Sequence, residues 1–128
     1  MMKNDLSKQI SAITSALSSV RMPAMPGEYD IHGAISQALH AAGIEHIHEY
    51  RLLPRCRIDF LSGRIGIEVK KGRPSPQALR QQLNRYLASD ALDAIIVVMQ
   101  RAIELPSSIG GKPVILISLN RLWGVALP

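Results

Sequence analysis

The feature that most constrains the fold is a run of six consecutive apolar residues from Ala94 to Met99. Such a run is typical of a β-strand that is covered on both faces. Pro113 to Leu119 forms a second strand-like apolar run. Around residues 6–17, 28–42 and 76–88 the apolar residues instead follow helical spacing. The sequence therefore predicts an α/β protein rather than an all-helical or all-β one.

The remaining elements follow from spacing, caps and turn residues. In order, they are predicted as a helix near residues 5–17, a helix over 28–42, strands over 44–53, 55–61 and 65–71, a helix over 76–88, and strands over 94–99 and 113–119. Gly43 is expected to end the second helix, and Ser75-Pro76 to begin the third. The segment containing Pro106, Gly110 and Gly111 is predicted to be loop.

The chain of 128 residues is long enough for one hydrophobic core and too short for two. We predict an N-terminal amphipathic helix over residues 1–22 and one domain over residues 27–128, joined by a short linker rich in proline. The apolar stripe of the first helix needs a partner, which is either the domain itself or a second copy of the chain.

Charge and cysteine content narrow the class of partner. The formal net charge of +5 favours a polyanion, and DNA is the expected partner. Cys56 is the only cysteine, so no intramolecular disulfide can form and a cytoplasmic location is expected. No window approaches the length that crosses a bilayer, so no membrane partner is predicted.

The informative segment runs from Arg57 to Lys70. Alternation along a strand places Glu68 and Lys70 on one face. Asp59 joins that face if the hairpin connection has an even number of residues. A four-residue loop over 62–65 puts Asp59 directly opposite Glu68, and a two-residue loop over 62–63 makes them diagonal neighbours. In both cases two carboxylates and an ammonium group converge.

Two neighbouring carboxylates repel each other, and a divalent cation between them removes that cost. Oxygen ligands suit Mg²⁺, and Mn²⁺ is expected to substitute for it. Such an ion polarises a phosphoryl oxygen and lowers the pKa of a bound water, while Lys70 orients that water or stabilises developing charge. The residues therefore predict phosphodiester hydrolysis without an organic cofactor.

At these positions the chain resembles the PD-(D/E)XK nuclease superfamily, whose signature is an aspartate before a turn and Glu-X-Lys on the next strand. Here these are Asp59 and Glu68-Val69-Lys70, with Ile58 where the motif name has proline. The order of elements over residues 28–99 is also similar. The resemblance implies a restriction-endonuclease-like three-layer core, with a mixed sheet of about 4–5 strands flanked by helices and an extra N-terminal helix.

The resemblance also implies further site residues. Gln82 and Tyr86 match the Gln-X-X-X-Tyr motif of several DNA-cutting branches, in which both residues lie beside the active site and contact substrate. The Val69 carbonyl would add a metal ligand, and Glu28 on the first core helix would complete the site. Glu49 is the second choice for that acid.

Eight cations surround the acids in the sequence, and they are expected to neutralise phosphates. They are Arg51, Arg55, Arg57, Arg64, Lys71, Arg73, Arg80 and Arg85. Arg57, Lys71, Arg73, Arg80 and Arg85 are the ones predicted to bind nucleic acid. The alternative is a solvated charged surface with no ligand.

The leading hypothesis is a Mg²⁺-dependent endodeoxyribonuclease that is guided by DNA structure or is nonspecific for sequence, in a phage, a repair system or a defence locus. Small stand-alone members similar to it, including Holliday-junction resolvases, often form homodimers, so the resemblance favours a dimer. The alternative is an inactive nuclease fold that binds nucleic acid or a protein. RNA as substrate stays open, as does a zinc site at His46, His48 and Cys56, although oxygen ligands fit hydrolysis better.

Overall fold

The structure is a computed structural model, and it describes residues 2–20, 28–101 and 103–119, with side chains described for 5–20, 31–101 and 103–119. The α/β prediction is confirmed by three helices and a six-stranded mixed sheet. In chain order the elements are α1 (Met2–Leu17), α2 (Glu28–Ala41), β1 (Ile47–Leu53), β2 (Cys56–Ser62), β3 (Ile65–Lys70), α3 (Pro76–Leu87), β4 (Ala94–Met99), β5 (Ser108–Ile109) and β6 (Lys112–Ser118). The predicted linker at 22–27 lies outside the described residues.

Residues 1–46 form one compact unit, in which two amphipathic helices contribute the apolar side chains. Ile13 and Leu17 of α1 are buried, as are Ile31, Ile35 and Leu39 of α2. The last turn of α2 ends as predicted at Gly43, which has a φ of +73°. The Ile44 N–H reaches back to the Leu39 carbonyl at 2.9 Å, a pattern that satisfies a carbonyl of the last turn. None of the described helices could span a membrane.

Residues 47–128 form the second compact unit, whose described part contains the sheet and α3. The strand order is β1-β2-β3-β4-β6-β5. The β1–β2, β2–β3 and β5–β6 pairs are antiparallel, whereas β4 is parallel to both β3 and β6. The connection between parallel β3 and β4 contains α3, as a crossover requires. The sheet therefore has one strand more than predicted, because β5 was expected to be loop.

Helix α3 packs on the sheet through the predicted leucine stripe. Ser75 caps the helix by accepting a hydrogen bond from the Ala78 N–H at 3.3 Å, and proline occupies the first turn. Leu79, Leu83 and Leu87 are buried in one cluster with residues of the central strands, including Ile95 and Val97. This packing fixes the polar residues of α3 relative to the end of β3.

Gly66 on β3 lies against this cluster, and a methyl group there would overlap the Ile58 side chain and lie 3.1 Å from Leu92 Cδ1. We expect Gly66→Ala to lower the free energy of unfolding by about 2 kcal/mol, because overpacking displaces buried side chains. Urea denaturation would measure the change. The matched control is Gly33→Ala, because Gly33 is an exposed helical residue whose added methyl meets nothing within 4 Å. Equal destabilisation in both variants would contradict the packing argument.

Candidate active site

The hairpin of β2 and β3 sets the register of the predicted acids. Phe60 pairs with Ile67, Leu61 with Gly66 and Ser62 with Ile65. Continued by one pair, this register puts Asp59 opposite Glu68, which is the first of the two predicted arrangements. That arrangement assumed a four-residue loop over residues 62–65. In the structure Ser62 and Ile65 also pair, so the connection is a two-residue turn at residues 63–64.

Beyond Phe60, side chains take over the hydrogen bonding between these two strands. The Asp59 N–H donates to Glu68 Oε1 at 3.3 Å, and the Val69 N–H donates to Asp59 Oδ2 at 2.7 Å. Each carboxylate is therefore held by a backbone N–H of the other strand. The arrangement brings the two predicted acids together at the point where the regular ladder stops.

Glu68 also accepts hydrogen bonds from two side chains at its second oxygen. Lys70 Nζ lies 3.0 Å from Oε2, and the Tyr86 hydroxyl lies 3.2 Å from the same atom. The Glu68 side chain is only 5% exposed, whereas that of Lys70 is 25% exposed. Lys70 therefore links a buried carboxylate to the surface.

Burial is the main cause of a raised pKa at Glu68, which moves from 4.5 to about 7. The negative charge of Asp59 raises this pKa further, and the positive charge and hydrogen bond of Lys70 oppose the rise. A carboxyl group with a pKa near neutrality is partly protonated at physiological pH. Such shifts are more frequent at functional sites than elsewhere.

Gln82 and Tyr86 of α3 form the inner side of the site. Gln82 Nε2 donates to the Tyr86 hydroxyl at 2.8 Å, and that hydroxyl also lies 3.1 Å from the Arg57 carbonyl. Burial and the neighbouring Glu68 raise the pKa of Tyr86, so it stays a neutral donor. Tyr86 is 2% exposed, and this burial argues against the predicted direct contact with nucleic acid. Its observed contact is with Glu68.

An open cleft lies beside the Lys70 end of this network. Its lining residues are Lys70, Pro74, Ser75, Ala78, Leu79, Gln82 and Arg85. Ala78, Gln82 and Arg85 lie on one side of α3 because they are three or four residues apart. Lys70, Gln82 and Arg85 thus meet at one surface, with Glu68 behind them.

The predicted phosphate-binding cations are exposed, but they do not all share one environment. Arg57 on β2 pairs with Glu49 at 3.7 Å, and Arg85 lines the cleft. Lys71, Arg73 and Arg80 are exposed beyond β3 and on α3. Arg64 lies at the other end of β3, where it binds Asp93 at 2.7 Å and the Asp90 carbonyl. Arg64 therefore lies apart from the acids in the fold, although it lies between them in the sequence.

Glu49, the second choice for a further acid, lies in a local irregularity of β1. Its φ of +59° is left-handed, which is uncommon for a residue other than glycine. On either side of it, His48 stacks on Phe60 with ring centroids 4.8 Å apart, and Tyr50 packs into the cluster below α3. Residues two apart on a regular strand share a face, so the backbone at Glu49 redirects the strand beside Asp59.

No three His, Cys, Asp or Glu side chains in the described part of the chain could together hold a metal ion. Glu49 therefore does not form a triad with Asp59 and Glu68, and the zinc interpretation of His46, His48 and Cys56 has no such cluster behind it. His46 instead lies 2.8 Å from Ser36 Oγ through Nε2 and 3.0 Å from the Ile44 carbonyl through Nδ1. The side chain of Glu28, at the start of α2, lies outside the described residues.

Cys56 is a neighbour of the site that sequence reasoning did not place there. Burial raises the pKa of its thiol, the charge of Arg85 lowers it, and the charge of Glu68 raises it. These influences put Cys56 near both residues. Cys56 pairs with Leu53 at the β1–β2 turn. Nothing in the sequence around this turn indicates that Cys56 lies near Glu68 and Arg85.

Comparison with known proteins gives no relative: no family model matches the chain, and no curated protein or solved structure is similar enough to count as a match.

Proposed function

We propose that the chain is a metal-dependent endodeoxyribonuclease with a restriction-endonuclease-like core, and that Asp59, Glu68 and Lys70 form its active site. The observation that carries the proposal is the convergence of these three side chains where the β2–β3 ladder gives way to side-chain hydrogen bonds. A buried carboxylate beside a second carboxylate is costly, which is why a functional reason is expected for it.

The donors at this position suit Mg²⁺. The Asp59 and Glu68 carboxylates are hard oxygen ligands, and the Val69 carbonyl is the third predicted ligand. The raised pKa of Glu68 reflects in part the negative charge of Asp59, and a cation would relieve that repulsion. When bound, the ion would polarise the scissile phosphate and acidify a water molecule.

The protein residues have separate tasks in this proposal. Lys70, partly exposed in the cleft, orients the attacking water or stabilises charge that develops on the phosphate. Tyr86 positions Glu68 through its hydroxyl, and Gln82 positions Tyr86. Arg85 and the exposed cations Arg57, Lys71, Arg73 and Arg80 neutralise the DNA backbone, so binding weakens as salt increases.

The second candidate is a protein that keeps this fold and binds nucleic acid or a protein partner without cutting. One observation favours it: both oxygens of Glu68 already accept hydrogen bonds from the chain. A network satisfied in this way can serve to hold the hairpin and α3 together. This candidate predicts binding without turnover.

The deciding experiment is a cleavage assay on supercoiled, linear and four-way-junction DNA, with and without Mg²⁺ or Mn²⁺. We expect metal-dependent cleavage by the wild-type protein and its loss in Asp59→Asn, because the amide removes a charged ligand without changing size. Asp90→Asn is the matched control, since Asp90 is exposed and its carbonyl lies against Arg64, at the end of β3 opposite to Lys70. Cleavage that persists in Asp59→Asn would overturn the assignment, and DNA binding without cleavage would support the second candidate.

A further inference from the structure

The two ends of the parallel strands β3 and β4 differ in charge. Just before these strands begin, Arg64 binds Asp93 at 2.7 Å, so a basic and an acidic group are matched there. Just after the strands end, Lys71, Arg73 and Arg101 are all exposed. None of these three cations forms an ion pair with a carboxylate in the part of the chain whose side chains are described. Positive charge is therefore left unmatched at one end of the two strands.

Arg101 lies beside the loop that leads from β3 to α3. The register between β3 and β4 ends with Lys70 opposite Met99, and two further residues along it Arg101 comes beside Gly72. The Gly72 N–H donates to Gln100 Oε1 at 3.1 Å, so the two segments stay adjacent beyond the strands. Arg101 is thus a neighbour of the two cations that flank Gly72, although α3 and β4 separate them in the sequence.

The position of Arg101 in the sheet order relates it to the proposed active site. Arg57, a predicted phosphate contact, is on β2, whereas Arg101 follows β4. Because β3 lies between β2 and β4, these two arginines flank β3 from opposite sides. A polyanion that contacts both of them therefore crosses the end of β3, where Lys70 lies.

We propose that Arg101, together with Lys71 and Arg73, binds backbone phosphates of a DNA strand that continues past Lys70 over the end of β4. Three like charges close together repel one another, and bound phosphates remove that cost. Neighbouring strands are about 5 Å apart and a DNA strand advances about 3.4 Å per nucleotide, so Arg101 lies within about three nucleotides of a phosphate at Lys70. The identity of the substrate as DNA rests on the proposed function, and Arg101 is an additional contact to it.

Fluorescence anisotropy of a labelled DNA duplex, titrated with the full chain in EDTA at several salt concentrations, tests this contact without cleavage. We expect Arg101→Gln to weaken binding about fivefold to tenfold near 0.1 M salt and to lower the slope of log affinity against log salt by about 0.9, because one phosphate contact is lost. The loss should be similar for duplexes of unrelated sequence, since phosphates carry no base information.

Arg64→Gln is the matched control, because it removes the same charge at the opposite end of β3 and its exposed ion pair contributes little to stability. It should leave the salt slope unchanged, and circular dichroism would check that both variants are folded. Unchanged affinity and slope in Arg101→Gln would overturn the proposal. An equal loss in Arg64→Gln would also overturn it, because the effect would then come from net charge alone.

The cleavage assay separates this proposal from the nuclease proposal. If both hold, Arg101→Gln should raise KM and leave the rate at saturating DNA unchanged. DNA binding that depends on Arg101 as expected, without any cleavage, would refute the nuclease and leave this surface standing. Cleavage whose KM does not respond to Arg101→Gln would support the nuclease and refute this surface.

Discussion

Lys70→Ala is expected to reduce DNA cleavage by about 100-fold to 1,000-fold while DNA binding is retained. The ammonium group lies 3.0 Å from Glu68 Oε2 and reaches the open cleft, so it is the positive charge that contacts the proposed metal ligand Glu68. Its loss acts twice, because Lys70 also opposes the rise in the pKa of Glu68. Without it, Glu68 holds its proton at higher pH and is a poorer ligand at neutrality.

The adjacent Lys71 provides the matched control for this prediction. Lys71 is exposed just beyond β3, and its expected role is to contact phosphate. Lys71→Ala should therefore weaken binding and reduce its salt dependence, with little effect on the rate at saturating DNA. Single-turnover rates and binding titrations on the same substrate separate the two effects. Wild-type cleavage by Lys70→Ala would exclude Lys70 from the chemistry.

The convergence of the acids could be predicted from sequence because it depends only on whether the hairpin connection has an even or an odd number of residues. Alternation puts Glu68 and Lys70 on one face, and any even-numbered connection brings Asp59 to the same face. The start of α3 could also be predicted, because serine accepts a hydrogen bond from the first turn of a helix and proline fits the first helical position. The leucines of α3 repeat every four residues, and this spacing predicted the buried side of the helix correctly.

The surroundings of Glu68 could be predicted only in part. Tyr86 lies between Leu83 and Leu87 in the sequence, one turn beyond Gln82, and a helical plot places it next to the buried stripe. Whether such a tyrosine is buried depends on whether the sheet provides hydrogen-bond partners for its hydroxyl. Here those partners are the Arg57 carbonyl and Glu68. Those partners lie far away in the sequence, so local spacing cannot identify them.

Two features carried no usable sequence signal. A strand of two residues such as β5 is too short to show periodicity, and its partner in β6 sets its position. The left-handed backbone at Glu49 could not be predicted, because the residue there is not a glycine or asparagine, which favour that conformation. This second irregularity matters more, because the β1–β2 register places Glu49 across from Asp59.

Glu68→Gln is expected to make the protein more stable than wild type at pH 8, although it removes a proposed catalytic group. The pKa of Glu68 is 4.5 in the unfolded chain and about 7 in the folded one. Below the unfolded pKa the group is protonated in both states and costs nothing. As pH rises through this window, the unfolded state loses its proton first, so wild-type stability falls by up to about 3 kcal/mol. Glutamine does not ionise, so its stability should not change with pH in this way.

Thermal or urea unfolding from pH 4.5 to 8 would measure this difference. Glu104→Gln makes the same chemical change at an exposed glutamate and should leave the wild-type pH dependence in place. Asp59→Asn should narrow the pH range over which wild-type stability falls, because the Asp59 charge is the second cause of the raised pKa of Glu68. If Glu68→Gln instead loses stability equally at pH 5 and pH 8, the carboxylate is stabilised by Lys70 and Tyr86 more than burial penalises it. Glu68 would then be a structural ion-pair partner, and the second candidate function would gain support.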